Sequence, residues 1–157
     1  MILRSTLESV LRTPFVPPPP GQEVPRTLAA ELTLRPSHAT VLTGVRRCGK
    51  STLQAQLMRR AKLAFYCNFE DTRLFGIQPA DFPTFLTVLD EVAGRSGVVF
   101  LDEVQEVPEW QRLVRALLDR GRTVCVTGSN ASLLGRELGT RLTGRHLSFE
   151  VFPFSYA

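Results

Sequence analysis

Apolar and polar positions divide the chain into short apolar runs and longer amphipathic segments. Ala39–Thr43, Val98–Leu101 and Thr123–Thr127 are nearly continuous apolar runs of strand length. Such runs suit strands buried on both faces of a parallel sheet. Leu63–Phe69 reads as another strand, and His146–Val151 alternates as a last one. Between them the period changes to that of a helix. Leu53–Ala61 predicts a helix directly after a glycine loop. Phe82, Phe85, Leu86, Leu89 and Val92 form one face of a helix over residues 80–93. Trp110, Leu113, Val114, Leu117 and Leu118 form another, with Pro108 suited to its first turn and Gly121 ending it. Ser132–Leu138 predicts a short helix. Strands alternating with helices predict a three-layer α/β fold. Its sheet is mostly parallel and of about five strands, with helices on both faces.

The first 36 residues read as a lead-in to a core over 37–157. Leu3, Leu7, Val10 and Leu11 have helical spacing over 2–12. Pro17–Pro20 favour an extended spacer. Thr27–Leu34 fits a short helix or an edge strand, stopped by Pro36.

Hydrophobic content of 43% and charged content of 22% are ordinary for a globular protein with its own core. No apolar run reaches membrane-span length, and residues 1–8 lack a signal-peptide core. The expectation is a cytoplasmic protein with no membrane partner. Net charge is +4, carried by 17 arginines and two lysines among interspersed acids. Without a dense basic run, charge alone gives little support to nucleic-acid binding.

The chemistry is concentrated in Gly44-Val45-Arg46-Arg47-Cys48-Gly49-Lys50-Ser51-Thr52, which fits G-x-x-x-x-G-K-[ST]. A strand before it and a helix after it would aim free backbone N–H groups at an anion. Lys50 would reach the β- and γ-phosphates, and the Ser51 hydroxyl would ligate Mg²⁺. The second constellation is Asp102-Glu103 at the end of an apolar strand. Asp102 suits a metal-holding carboxylate, and Glu103 suits a base that orients water. Ser129 and Asn130, after the next strand, could hold that water or contact the γ-phosphate. Arg141 and Arg145 are candidates for neutralising the transferring phosphoryl group, in cis or from a neighbouring subunit. Asp71 could face the site or merely solvate a turn. Cys67 and Cys125 read as small buried residues, and the three cysteines have no metal-ligand spacing. Cys48 fits either a small side chain in a crowded turn or a redox-sensitive thiol.

Together, Thr43–Ser51, Phe100-Leu101-Asp102-Glu103-Val104-Gln105, Val126–Asn130 and Leu142-Thr143-Gly144-Arg145 with Val151–Ser155 resemble the prokaryotic AAA-type ATPases. Those carry a second, C-terminal domain of uncharacterised function. The resemblance runs from about Ala39 to the end. It implies an AAA+ core of the ASCE P-loop type, with Walker A at 44–51, Walker B at 98–103 and sensor 1 near Ser129-Asn130. It also implies ATP and Mg²⁺ as ligands and a chain that continues toward a lid and a further domain. The expected function is ATP hydrolysis coupled to a partner domain or protein. A nucleotide-dependent switch with little turnover and a small-molecule kinase stay open as alternatives. So do a homo-oligomer and a nucleic-acid or protein partner met through a C-terminal domain.

Overall fold

The computed structural model describes residues 1–16, 19, 26–94, 96–129, 138, 141, 142 and 144–153. Five strands form one sheet: β1 (Ala39–Thr43), β2 (Ala64–Asn68), β3 (Val98–Asp102), β4 (Thr123–Gly128) and β5 (His146–Glu150). Their spatial order is β2-β3-β4-β1-β5, and every pairing is parallel. Parallel neighbours require crossover connections, which the intervening helices supply. These include α3 (Lys50–Arg60), α4 (Phe82–Ala93) and α5 (Trp110–Asp119). Two further helices, α1 (Arg4–Arg12) and α2 (Thr27–Glu31), precede the sheet.

The two faces of the sheet are separated by residue parity, as the strand period of two demands. Val41, Val99, Leu101, Val124 and Val126 pack with α1, α4 and α5. Leu42, Phe100 and Cys125 face the other way and pack with α2 and α3. This is why β1, β3 and β4 read as continuous apolar runs. Each needs apolar side chains on both parities. β5 lies at an edge, and its Leu147 is 40% exposed.

Several expected boundaries move. The 27–34 segment is helical only to Glu31, while Leu32 and Leu34 pack beside α3 without further helix. Helix α5 starts at Trp110, because Glu109 before it has a left-handed backbone with φ of 53°. Most of the Pro17–Pro20 run lies outside the described residues, as does the 132–138 segment apart from Leu138.

Helix α1 is built into the core. Leu7, Val10 and Leu11 are buried in the same cluster as α4. The Ile2 backbone N–H donates to the Asp81 carboxylate at 2.9 Å, and Arg4 pairs with Glu91 on α4. Leu7→Ala is therefore expected to lower stability by about 2–5 kcal/mol. The urea midpoint would fall with little change in slope. Removing the exposed Arg4–Glu91 pair should cost no more than about 1 kcal/mol. Equal effects from the two changes would contradict the packing.

Candidate functional site

The glycine loop leaves β1 at its carboxyl end and closes onto the first turn of α3. A Cβ at Gly44 would collide with the Val151 carbonyl and lie 2.6 Å from the Cys48 Sγ. Gly49 has φ of 96° and stands against the Arg26 guanidinium, so both backbone and space favour glycine there. Arg26 straps the loop. Its Nη1 donates to the Phe152 carbonyl at 2.7 Å, and its Nη2 donates to the Cys48 carbonyl.

Lys50, the first residue of α3, is 4% exposed. Its Nζ donates to the carbonyls of Gly44 at 2.9 Å and Val45 at 3.0 Å. An ammonium has three N–H donors, and the third makes only a long, weak contact with the Cys48 sulfur, which an anion in the loop can replace. Cys48 is buried, with its sulfur 3.9 Å from Nζ. That geometry suits a packing role better than an accessible thiol. Burial pushes the Cys67 and Cys125 thiols well above their ordinary range, in keeping with strand interiors.

Asp102 ends β3 and is 2% exposed. The Ser51 hydroxyl donates to its Oδ2 at 3.3 Å, and the Tyr66 hydroxyl donates to the same oxygen at 2.6 Å. Thr127 at the end of β4 donates to Oδ1. The next residue, Glu103, has φ of 55°, an uncommon conformation for a non-glycine residue. Its N–H donates to Thr127 Oγ1 at 3.0 Å. Its side chain joins Lys50, Ser51, Thr52, Gly49, Arg46, Arg47 and Glu70 around a cavity of about 470 Å³. The Gln105 amide donates to Glu103 Oε2 at 2.5 Å and to Ser129 Oγ at 3.1 Å. A slightly larger cavity of about 510 Å³ lies near the β2 edge and is lined mainly by apolar side chains. The smaller cavity is the candidate site because its groups can hold an anion and a cation together.

Lys50, Ser51, Asp102, Glu103 and Ser129 thus meet at the carboxyl ends of β1, β3 and β4. Ligands bind at this end of open α/β sheets. Asn130 lies outside the described residues. Asp71 does not join the site. It caps a 3-10 turn by accepting from the Arg73 N–H, and Arg73 pairs with it at 2.7 Å. That hydrogen-bonded arginine holds the Asp71 carboxyl below its usual range.

The two arginines are placed differently. Arg141 pairs with Glu109 at 2.8 Å and holds that carboxyl below its usual range, with Arg112 assisting. It does not line the 470 Å³ cavity. Arg145 pairs with Asp119 at 2.6 Å, and its carbonyl accepts from the Ala39 N–H at the start of β1. The glycine loop lies beyond the other end of β1, five residues away. At about 3.3 Å per residue, that is roughly 16 Å along the strand. In its own chain Arg145 thus lies at the amino end of the sheet, away from the loop.

Tyr66, Thr127 and Gln105 were not singled out as site residues from the sequence. Parity and register bring Tyr66 to Asp102. Tyr66 pairs with Phe100 and Asn68 with Asp102, so all four side chains share a face. Only the β2–β3 pairing reveals this. Thr127 and Gln105 stood inside quoted motifs, but their hydrogen-bond partners depend on the turn after β3.

A model of a family described as an AAA domain matches residues 36–157, and the chain belongs to this family. It is similar to the uncharacterized protein MJ1544 of Methanocaldococcus jannaschii, 36% identical over 128 residues. That match covers 80% of this chain and 29% of the relative. An uncharacterized protein of Haemophilus influenzae is 34% identical over 125 residues, covering 74% of this chain and 31% of the relative. The chain therefore spans less than a third of the length of these curated relatives. Among solved structures it resembles the Walker-type ATPase Paby2304 of Pyrococcus abyssi, with a TM-score of 0.51 and 19% identity. That likeness covers 77% of this chain and 50% of the other, and it concerns the fold.

Proposed function

We propose that this chain binds ATP with Mg²⁺ at the 44–52 loop and hydrolyses it, coupling the cycle to a partner domain or protein. The observation that carries this reading is the convergence of Lys50, Ser51 and Glu103 around one cavity, with the buried Asp102 carboxylate hydrogen-bonded to Ser51 behind it.

The loop would receive the phosphates on the backbone N–H groups that open α3, with Gly44 and Gly49 permitting the close approach. Lys50 would add its third N–H to the β- and γ-phosphate oxygens. The donor set suits a hard cation. Ser51 offers a hydroxyl oxygen and Asp102 a carboxylate, and Mg²⁺ commonly takes one or two such groups plus substrate phosphates. When bound, Mg²⁺ withdraws charge from the phosphoryl oxygens. Glu103 would orient a water and accept its proton. Ser129, tied to Glu103 through Gln105, would report on the γ-phosphate position, together with Asn130. Arg141 or Arg145 would act on a neighbouring copy's site, in a homo-oligomer. No helix among the described residues is long and apolar enough to cross a membrane, and the proposed setting is the cytoplasm. Nucleic acid or protein would be met through other parts of a longer chain.

One observation gives weight to the switch reading. Gln105 already engages the Glu103 carboxylate, an arrangement that could hold turnover low. Single-turnover release of γ-phosphate by the full-length protein separates the two readings. Mg²⁺-dependent release supports hydrolysis. Tight binding without release supports the switch.

On the hydrolysis reading Gln105→Ala reduces turnover about 3- to 10-fold, the equivalent of one ordinary hydrogen bond, whereas on the switch reading, where Gln105 occupies the Glu103 carboxylate, it raises turnover. KM for ATP should change less than about twofold, because Gln105 orients Glu103 without lining the phosphate loop. A change confined to KM would contradict that role.

A further inference from the structure

Asp102 is held by hydroxyl donors from three different elements. Ser51 comes from α3, Thr127 from β4 and Tyr66 from the edge strand β2. On Oδ2 the Tyr66 bond, at 2.6 Å, is much the shorter of the two. The phenol is in turn seated from outside the sheet. The Phe15 ring, just after α1, lies against it with centroids 4.5 Å apart and planes tilted by 44°.

The geometry points to Tyr66 as a positioning residue for the metal-holding carboxylate, seated by Phe15. This inference rests on the proposed Mg²⁺–ATP reading of the site. A Ser51 hydroxyl that gives a lone pair to a cation keeps its O–H, but at 3.3 Å it is the longer and weaker of the two donors on Oδ2. Tyr66 remains on Oδ2 and Thr127 on Oδ1, so the carboxylate keeps its plane. Without the phenol hydroxyl, Oδ2 would keep only the longer bond from Ser51. Groups that orient ligands from behind typically contribute one or two orders of magnitude to metal affinity. By the same contact, the segment after α1 helps to set the geometry of the Asp102 carboxylate.

The test is Tyr66→Phe, which removes one oxygen and keeps the ring against Phe15. Binding of fluorescent N-methylanthraniloyl ATP to the full-length protein is titrated with Mg²⁺ and, separately, in EDTA. The Mg²⁺ half-saturation point is expected to rise roughly tenfold in the variant. Affinity in EDTA should stay within about twofold of wild type. The same change is then made in an Asp102→Asn background. There it should shift the half-saturation point less than about twofold, because the two residues act as one unit. A wild-type Mg²⁺ response in Tyr66→Phe overturns the inference. So does an undiminished tenfold shift in the Asn background. If wild-type binding ignores Mg²⁺ altogether, the nucleotide–metal reading fails, and the inference fails with it. Equal urea midpoints for wild type and Tyr66→Phe would confirm that the comparison concerns folded protein.

Discussion

Glu103→Gln is expected to reduce ATP turnover by about 10²- to 10⁴-fold, the usual contribution of a positioned general base. Nucleotide affinity should change less than about threefold. The substitution is nearly isosteric, so the left-handed turn and the bond from Glu103 N–H to Thr127 remain available. What disappears is the ability to take a proton from water. A neutral amide at this position can still accept from Gln105, so the local network should hold. Single-turnover phosphate release measures the chemical step, and equilibrium binding of labelled ATP measures affinity. If the variant released phosphate as fast as wild type, Glu103 would not be the base. If affinity and turnover fell together, its role would be structural.

The second large effect belongs to Lys50→Ala. The ammonium closes the loop through the Gly44 and Val45 carbonyls, and its third donor, now on the Cys48 sulfur by a long contact, can turn to phosphate. Hydrogen bonds to charged groups contribute about 1.5–3 kcal/mol each. Losing the phosphate bond alone should weaken ATP binding roughly 10- to 100-fold. Loss of the two carbonyl contacts should loosen the loop and add to the deficit. Isothermal titration of ATP into the variant checks this, with circular dichroism to establish folding. Retained wild-type affinity in a folded Lys50→Ala protein would place the phosphates elsewhere.

Much of this site is local in sequence, and that part was legible. Gly44, Gly49, Lys50 and Ser51 lie within eight residues, and their spacing follows from one turn and the start of one helix. Asp102-Glu103 was visible because a doubly buried strand ends abruptly in two acids. The same parity rule made β1, β3 and β4 readable. The partners of Asp102 were not legible. Tyr66 reaches it only because β2 pairs with β3 in one register, which is a long-range choice. The docking of α1 was half legible. Leu7, Val10 and Leu11 announce an amphipathic helix, but nothing local says that α4 covers them. For Arg145 the sequence left the role open between its own site and a neighbouring copy's, and the parallel β5, starting beside Ala39, holds it at the amino end of the sheet. Asp71 was ambiguous because a strand exit is both a ligand-facing position and an ordinary turn. Arg73 settles it as a turn.

The most direct measurement is calorimetric titration of ATP into the full-length protein, with Mg²⁺ and with EDTA, in wild type and Lys50→Ala. Expected is one ATP per chain, bound more tightly with Mg²⁺, and weakened at least tenfold by the lysine substitution. Absence of binding up to about millimolar ATP, or binding indifferent to both Mg²⁺ and Lys50, would contradict a nucleotide site at this loop.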